Sequence, residues 1–275
     1  MKVAVTYHHE FGVSGEPALR ERIIPSYEAL QPVIRHKKIP VYTPKVTPQI
    51  FKLAQQVHGP AYIQKVKQTP FYENAALSAA SVLLGAELLA EKRHKAVFSY
   101  TGCAGHHAGK SRFWGFCYLN DVAITIHQLQ KKGIKRFLVL DIDPHFGDGT
   151  REFFQHDPHV IHINFFEGNH DVIDPRYHNY DYGLNPGRDE EFIETLHRAL
   201  KPDFDFELMI VIFGHDSHYL DYGGFQLWDS TYPLVTRQIK KYAADRPLLW
   251  VLSGGSEVGV AKTVIPEVVS ALADD

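Results

Sequence analysis

At 275 residues, 44% hydrophobic and 22% charged, the chain can bury a large core and has the composition of a globular protein, neither disordered nor fibrous. Its net charge of −3, with no long run of one sign, argues against a general nucleic-acid binder, and no apolar run approaches the roughly 20 residues that span a bilayer, so neither nucleic acid nor membrane is an expected partner. Two cysteines, Cys103 and Cys117, cannot build a disulfide framework, which points to a reducing interior, most simply the cytoplasm.

The opening MKVAVTYHHEF turns polar too early for a signal peptide and predicts a first strand at residues 3–5. Further apolar runs lie at 96–99, 137–140, 209–213 and 248–252. They are strand-length and do not alternate, as strands read when helices cover both faces. Helical periodicity marks 74–91, 120–132, 190–200 and 231–243, with Asn120 as an N-cap and Gly133 as a stop. Residues 168–188 and 215–224 read as long loops, which in a compact domain often carry function. The alternation predicts an α/β fold around a mostly parallel central sheet, with residues 1–275 as a single domain.

Four of the strands run straight into polar segments: TGCAGHH at 101–107, DIDPHFGDGT at 141–150, GHDSH at 214–218 and SGGSE at 253–257. In open parallel sheets, sites form beyond the carboxyl ends of the strands, so all four segments should open on one rim. Asp143 and His145 are two apart and face the same way if the backbone stays extended, and Asp216 can join them from another strand. One His and two Asp make a three-ligand N/O site with an open position, suited to Zn²⁺ or another divalent transition metal. A dication would also offset the crowding of carboxylates along 141–148. His106 and His107 could be ligands or acid–base groups. Asp141 and Asp148 could orient them, because a carboxylate that accepts a ring N–H fixes the tautomer and raises basicity. His8, His9, His58, His162, His170 and His178 read as structural or exposed.

Together these segments resemble the histone deacetylase superfamily, which includes acetylpolyamine amidohydrolases and acetoin-utilisation proteins. GHHAGKSRFWGFCYLNDVAI, VLDIDPHFGDGT, GHDSH and VHGPAYIQKV occur in that family's order. The resemblance implies an arginase-like three-layer α/β fold with a sheet of about eight strands. It implies Zn²⁺ on Asp143, His145 and Asp216, with a weaker suggestion of K⁺ near the backbone oxygens of Asp141, Asp143 and His145. It pairs His106 with Asp141 and His107 with Asp148, and gives His107 the acid–base role and His106 an electrostatic one. Gly115 and Phe116 would line an acyl-amine channel with Phe146, and Arg20 would stand at the foot of an acetate pocket. The implied activity is removal of an acetyl or other acyl group from an acyl-lysine, a polyamine or a small metabolite, by metal-activated water.

The chain also departs from that pattern. A tyrosine that follows Gly-Gly in the family is absent, and Ser256 stands in its place as a candidate substrate-binding residue; its short side chain cannot reach as a phenol does and would act only through a water, or not at all. Cys103-Ala104, Phe146 and Asn164 also differ from the usual residues around the pocket. Tyr219 and Tyr222 are the nearest phenols by sequence, though loop packing is the plainer reading of both. Two expectations follow: a zinc-dependent amidohydrolase of reduced activity, or a non-hydrolytic ligand-binding protein on the same scaffold. An arginase-type C–N hydrolase is a third, disfavoured by the His-His pair.

Overall fold

The computed structural model describes residues 3–274. Nine strands form one sheet: β1 (Val3–Thr6), β2 (Val41–Tyr42), β3 (Ala96–Ser99), β4 (Phe137–Asp141), β5 (Val160–Glu167), β6 (Val172–Asp174), β7 (Asn179–Leu184), β8 (Leu208–Phe213) and β9 (Leu248–Leu252). Their order is β2-β1-β3-β9-β8-β4-β5-β7-β6, and every pairing is parallel except β6 with β7.

The central strands are apolar on both faces because both faces are covered. In β4, Leu138 and Leu140 enter one core while Phe137 and Val139 enter the other; in β9, Trp250 and Leu249 divide the same way. The first core is closed by the helices Ile23–Lys37 and Val258–Ala273, the second by Tyr72–Ala90 and Asp121–Lys131. This is a three-layer α/β arrangement. Each fully buried Leu, Val or Ile side chain contributes roughly 1.5–3 kcal/mol, so the central strands anchor whatever follows them. The helix Tyr72–Ala90 approaches the sheet closely because it is built from small residues. A Cβ on its Gly85 would collide with Ser99 and Leu249. Asn120 caps Asp121–Lys131 as expected, accepting the Ala123 N–H at 2.8 Å.

Two expectations about segments change. Residues 168–188 are not a long loop; they hold β6 and β7. The sheet has nine strands because β2, β5, β6 and β7 escaped the apolar-run criterion. β5 and β7 carry buried polar residues, His162, Asn164 and Asp181, and the last two are hydrogen-bonded to each other. Residues 215–224 do form a loop, after one 3₁₀ turn at His215–Ser217.

The order β3-β9-β8-β4 makes the four strands that end in polar segments immediate neighbours. Their carboxyl-terminal loops therefore meet.

Candidate metal and hydrolytic site

β4 ends at Asp141, and the chain then turns so that Asp143 N–H donates to Asp141 Oδ1 (3.2 Å) and His145 N–H donates to Asp143 Oδ1 (3.1 Å). Asp216 arrives from the turn after β8. One ligand atom each from Asp143, His145 and Asp216 lies within 4.8 Å of the others. His145 Nδ1 is 2.9 Å from Asp143 and 3.2 Å from Asp216. Burial opposes a proton on His145, but the two carboxylates outweigh it and lift its pKa to about 10. Burial, with the Asp143 charge added, lifts Asp216 to about 7.

The Asp216 carboxylate is the diagnostic group. It is fully buried, and neither oxygen receives a well-formed hydrogen bond. The one nearby N–H, on His145, is nearer to Asp143. A buried carboxylate without donors is costly, and a divalent cation held by one imidazole and two carboxylates removes that cost. The trio therefore fits a Zn²⁺-type ion. Room for it comes from Gly214 and Gly254: a Cβ on either would fall onto the Asp143 and Asp216 carboxylates. Gly254 also donates its N–H to Asp143 Oδ2 at 3.0 Å. Sequence reasoning missed both glycines, whose only signal is their place next to strand ends.

The two imidazoles are held as expected. His106 Nδ1 meets Asp141 Oδ2 at 2.9 Å and His107 Nδ1 meets Asp148 Oδ1 at 2.8 Å. Each carboxylate accepts the Nδ1–H of its ring, and in a neutral imidazole that leaves Nε2 free to take a proton. His106 is buried, which disfavours its charge, but Asp143 and Asp141 prevail and raise its pKa to about 9. Burial and the adjacent His106 lower His107 to about 4, against the pull of Asp148. Asp148 is shared: Trp114 Nε1 donates to it at 3.1 Å and Arg112 at 3.0 Å, while the Trp114 ring stacks on His107 at 3.8 Å. Asn164 supports this wall by accepting the Gly147 N–H at 3.2 Å, just before Asp148.

The trio, both imidazoles and Trp114 line a cavity of about 270 Å³. Its remaining wall is mostly apolar: Leu19, Ala104, Gly115, Phe116 and Tyr222. Gly115 and Phe116 both have left-handed backbones (φ +56° and +64°). A Cβ on Gly115 would strike the His107 ring, so only glycine fits there. A larger open depression between Arg188 and Trp228 contains none of the reactive groups.

Three sequence expectations are corrected. Phe146 does not line the cavity; it packs on Phe166 at 5.7 Å, beside Arg151. Ser256 does not face it either, because its N–H and hydroxyl both bond to Asp221 (3.1 and 3.2 Å). Arg20 pairs with Glu21 at the surface, whereas the buried arginine is Arg22, which donates to the Gly254 and Ser253 carbonyls beneath the trio. Tyr222, read from sequence as loop packing, is part of the cavity wall, while Tyr219 stacks on Trp228 at the surface.

A profile of the histone deacetylase domain matches residues 64–272. Histone deacetylase 9 of Homo sapiens is 30% identical over 209 residues, 67% of this chain and 21% of that protein. Acetylpolyamine amidohydrolase of Mycoplana ramosa is 43% identical over 83 residues, 30% of this chain and 24% of that one. A probable deacetylase of Archaeoglobus fulgidus is 29% identical over 170 residues, 54% of this chain and 46% of that one. In each case the matched stretch spans less than half of the relative. Among solved structures, the HDA15 HD domain superimposes with a TM-score of 0.88 at 20% identity, covering 99% of this chain and 89% of that one, which shows a shared fold.

Proposed function

This chain belongs to the histone deacetylase family, and from that premise we propose that residues 1–275 form a single domain acting as a zinc-dependent amidohydrolase that removes acetyl or another acyl group from an amine. One observation carries the reading: an Asp–His–Asp trio whose two carboxylates are buried, one of them unpaired, opens into the same apolar cavity as two oriented imidazoles. When bound, a divalent metal would polarise the acyl carbonyl and lower the pKa of water.

The residues divide the remaining work. His107, neutral near pH 7, takes a proton from the attacking water at Nε2 and returns it to the leaving amine. Asp148 holds that ring in position and opposes the positive charge it gains. His106, paired with Asp141, supplies a cationic charge beside the site; a bound dication would weaken that charge by repulsion. Trp114, Phe116, Tyr222 and Leu19 exclude water and suit the methylenes of a lysine or polyamine arm, or a short acyl chain. A cytoplasmic setting belongs to the same proposal; both cysteines are free and buried.

The test is metal content with turnover. The zinc-loaded protein should hold one ion and release acetate from an acetyl-lysine peptide. Chelation should abolish turnover and added Zn²⁺ restore it. Stoichiometric zinc without turnover on acetyl-lysine, acetylpolyamine or trifluoroacetyl-lysine would favour the ligand-binding alternative.

A further inference from the structure

Amide hydrolysis puts negative charge on the acyl oxygen, and a hydrogen-bond donor aimed there is worth a large part of the rate. Most donors in the cavity wall are already engaged. The Nδ1–H groups of His106 and His107 go to Asp141 and Asp148, Trp114 Nε1–H goes to Asp148, and Gly254 N–H goes to Asp143. The one hydroxyl in the wall is the phenol of Tyr222.

Its position is well fixed. Tyr222 lies six residues beyond Asp216, with its ring 5.7 Å from the His145 ring and 6.5 Å from Phe116. Gly255 N–H donates to Tyr222 Oη at 3.2 Å. That bond holds the oxygen, and among the described residues no acceptor takes the phenol's own proton. Gly255 can present its N–H because its φ is +109° and it has no Cβ to strike His215. Asp221 secures the preceding residue: it accepts N–H groups from Tyr222 (2.9 Å), Ser256 (3.1 Å) and Glu257 (3.0 Å) and the Ser256 hydroxyl, and it meets His215 Nδ1 at 3.0 Å. Ser256 thus ties down the loop that carries the phenol.

We infer that Tyr222 is a catalytic residue whose phenolic O–H donates to the acyl oxygen as that oxygen becomes an oxyanion. The inference rests on the hydrolytic reading above. Water oxygen bonds to the acyl carbon while one water proton passes to His107 Nε2. The carbonyl π pair moves onto oxygen and is held by Tyr222. Collapse re-forms the carbonyl and breaks the C–N bond, the amine leaves with the proton from His107, and the carboxylic acid remains. Tyr222 keeps its own proton throughout: burial, with the Asp216 and Asp143 carboxylates nearby, pushes its pKa above the ordinary phenol range.

The experiment compares the zinc-loaded full chain with Tyr222→Phe on acetyl-lysine and trifluoroacetyl-lysine peptides. Tyr222→Phe should lower kcat on the acetyl amide roughly 100- to 1,000-fold with little change in KM. The loss on the trifluoroacetyl amide, whose carbonyl is already electron-poor, should be smaller. Zinc content and thermal midpoint should stay at wild-type values. Retained acetyl turnover, or equal losses on both amides, overturns the assignment of Tyr222 while leaving the hydrolase reading intact. A wild-type protein that turns over neither amide with zinc bound defeats the hydrolase reading first and this inference with it.

Discussion

The pairs His106–Asp141 and His107–Asp148 are built from the same two side chains joined at similar distances (2.9 and 2.8 Å), yet they sit in opposite settings. Asp141 is fully buried, and Asp143 lies on the far side of the His106 ring, 3.8 Å from Nε2, so that imidazole faces carboxylates on both edges. Asp148 is partly exposed and shares its charge with Trp114 and Arg112. Burial and the neighbouring His106 charge therefore outweigh Asp148 and lower His107, whereas Asp143 and Asp141 outweigh burial and raise His106. A hydrogen bond alone does not assign a histidine its role; the balance of neighbouring charge against burial does.

That contrast can be broken by mutation. His107→Ala should cause the larger loss, about 10²- to 10⁴-fold in kcat, because it removes the proton carrier. His106→Ala should cost clearly less if its role is electrostatic. Steady-state rates on an acetyl-lysine peptide check both, and an equal loss would remove the division of labour. Acid sensitivity comes next. His107, His58 and His215 are each lowered to about 4, mainly by burial. Each therefore opposes folding as pH drops from about 6.5 towards 4, while the buried Asp121, Asp141 and Asp216, raised to about 7, 6 and 7, work the other way over the same range. Ring chemical shifts followed by NMR separate the two: His58 and His215 should stay neutral imidazoles down to about pH 5, and titration of either near 6.5 would contradict the buried, neutral assignment. The smallest effect is expected from Trp114→Phe. It keeps the stacked ring but removes one of the two other donors on Asp148, leaving that carboxylate to His107 and Arg112. The acid limb of the rate profile should move to higher pH, with kcat changed only several-fold; an unmoved limb would show that the indole N–H has no share in tuning His107.

The legible half of the site is the half written locally. Asp143 and His145 lie two apart, with Asp141 and Asp148 flanking them in one short segment, so their convergence could be anticipated even though the backbone bends at 143–145 instead of staying extended. The four polar segments could also be placed on one rim, and β3, β9, β8 and β4 are adjacent as that requires. Sequence proximity offers Tyr219 and Tyr222 alike as sources of a hydroxyl and cannot choose between them or against loop packing, because the position of Tyr222 depends on Gly255, 33 residues away, and on Asp221's grip on Ser256, 35 residues from it. β5 and β7 were missed for a related reason. Their buried Asn164 and Asp181 look like loop residues until the partner strand and Arg151 satisfy them. Arg22 lost to Arg20 because only packing shows which of two nearby arginines lies beneath the Gly254 carbonyl.

Phe116 carries a further consequence. A non-glycine residue in the left-handed region costs about 1–2 kcal/mol, and this one sits at φ +64° directly after Gly115. The fold keeps a bulky ring where glycine would be more comfortable, so backbone ease is given up to hold an aromatic face on the cavity wall. Phe116→Gly would relieve the φ strain and take that face away, so comfort of the chain and shape of the wall trade against each other at this one position.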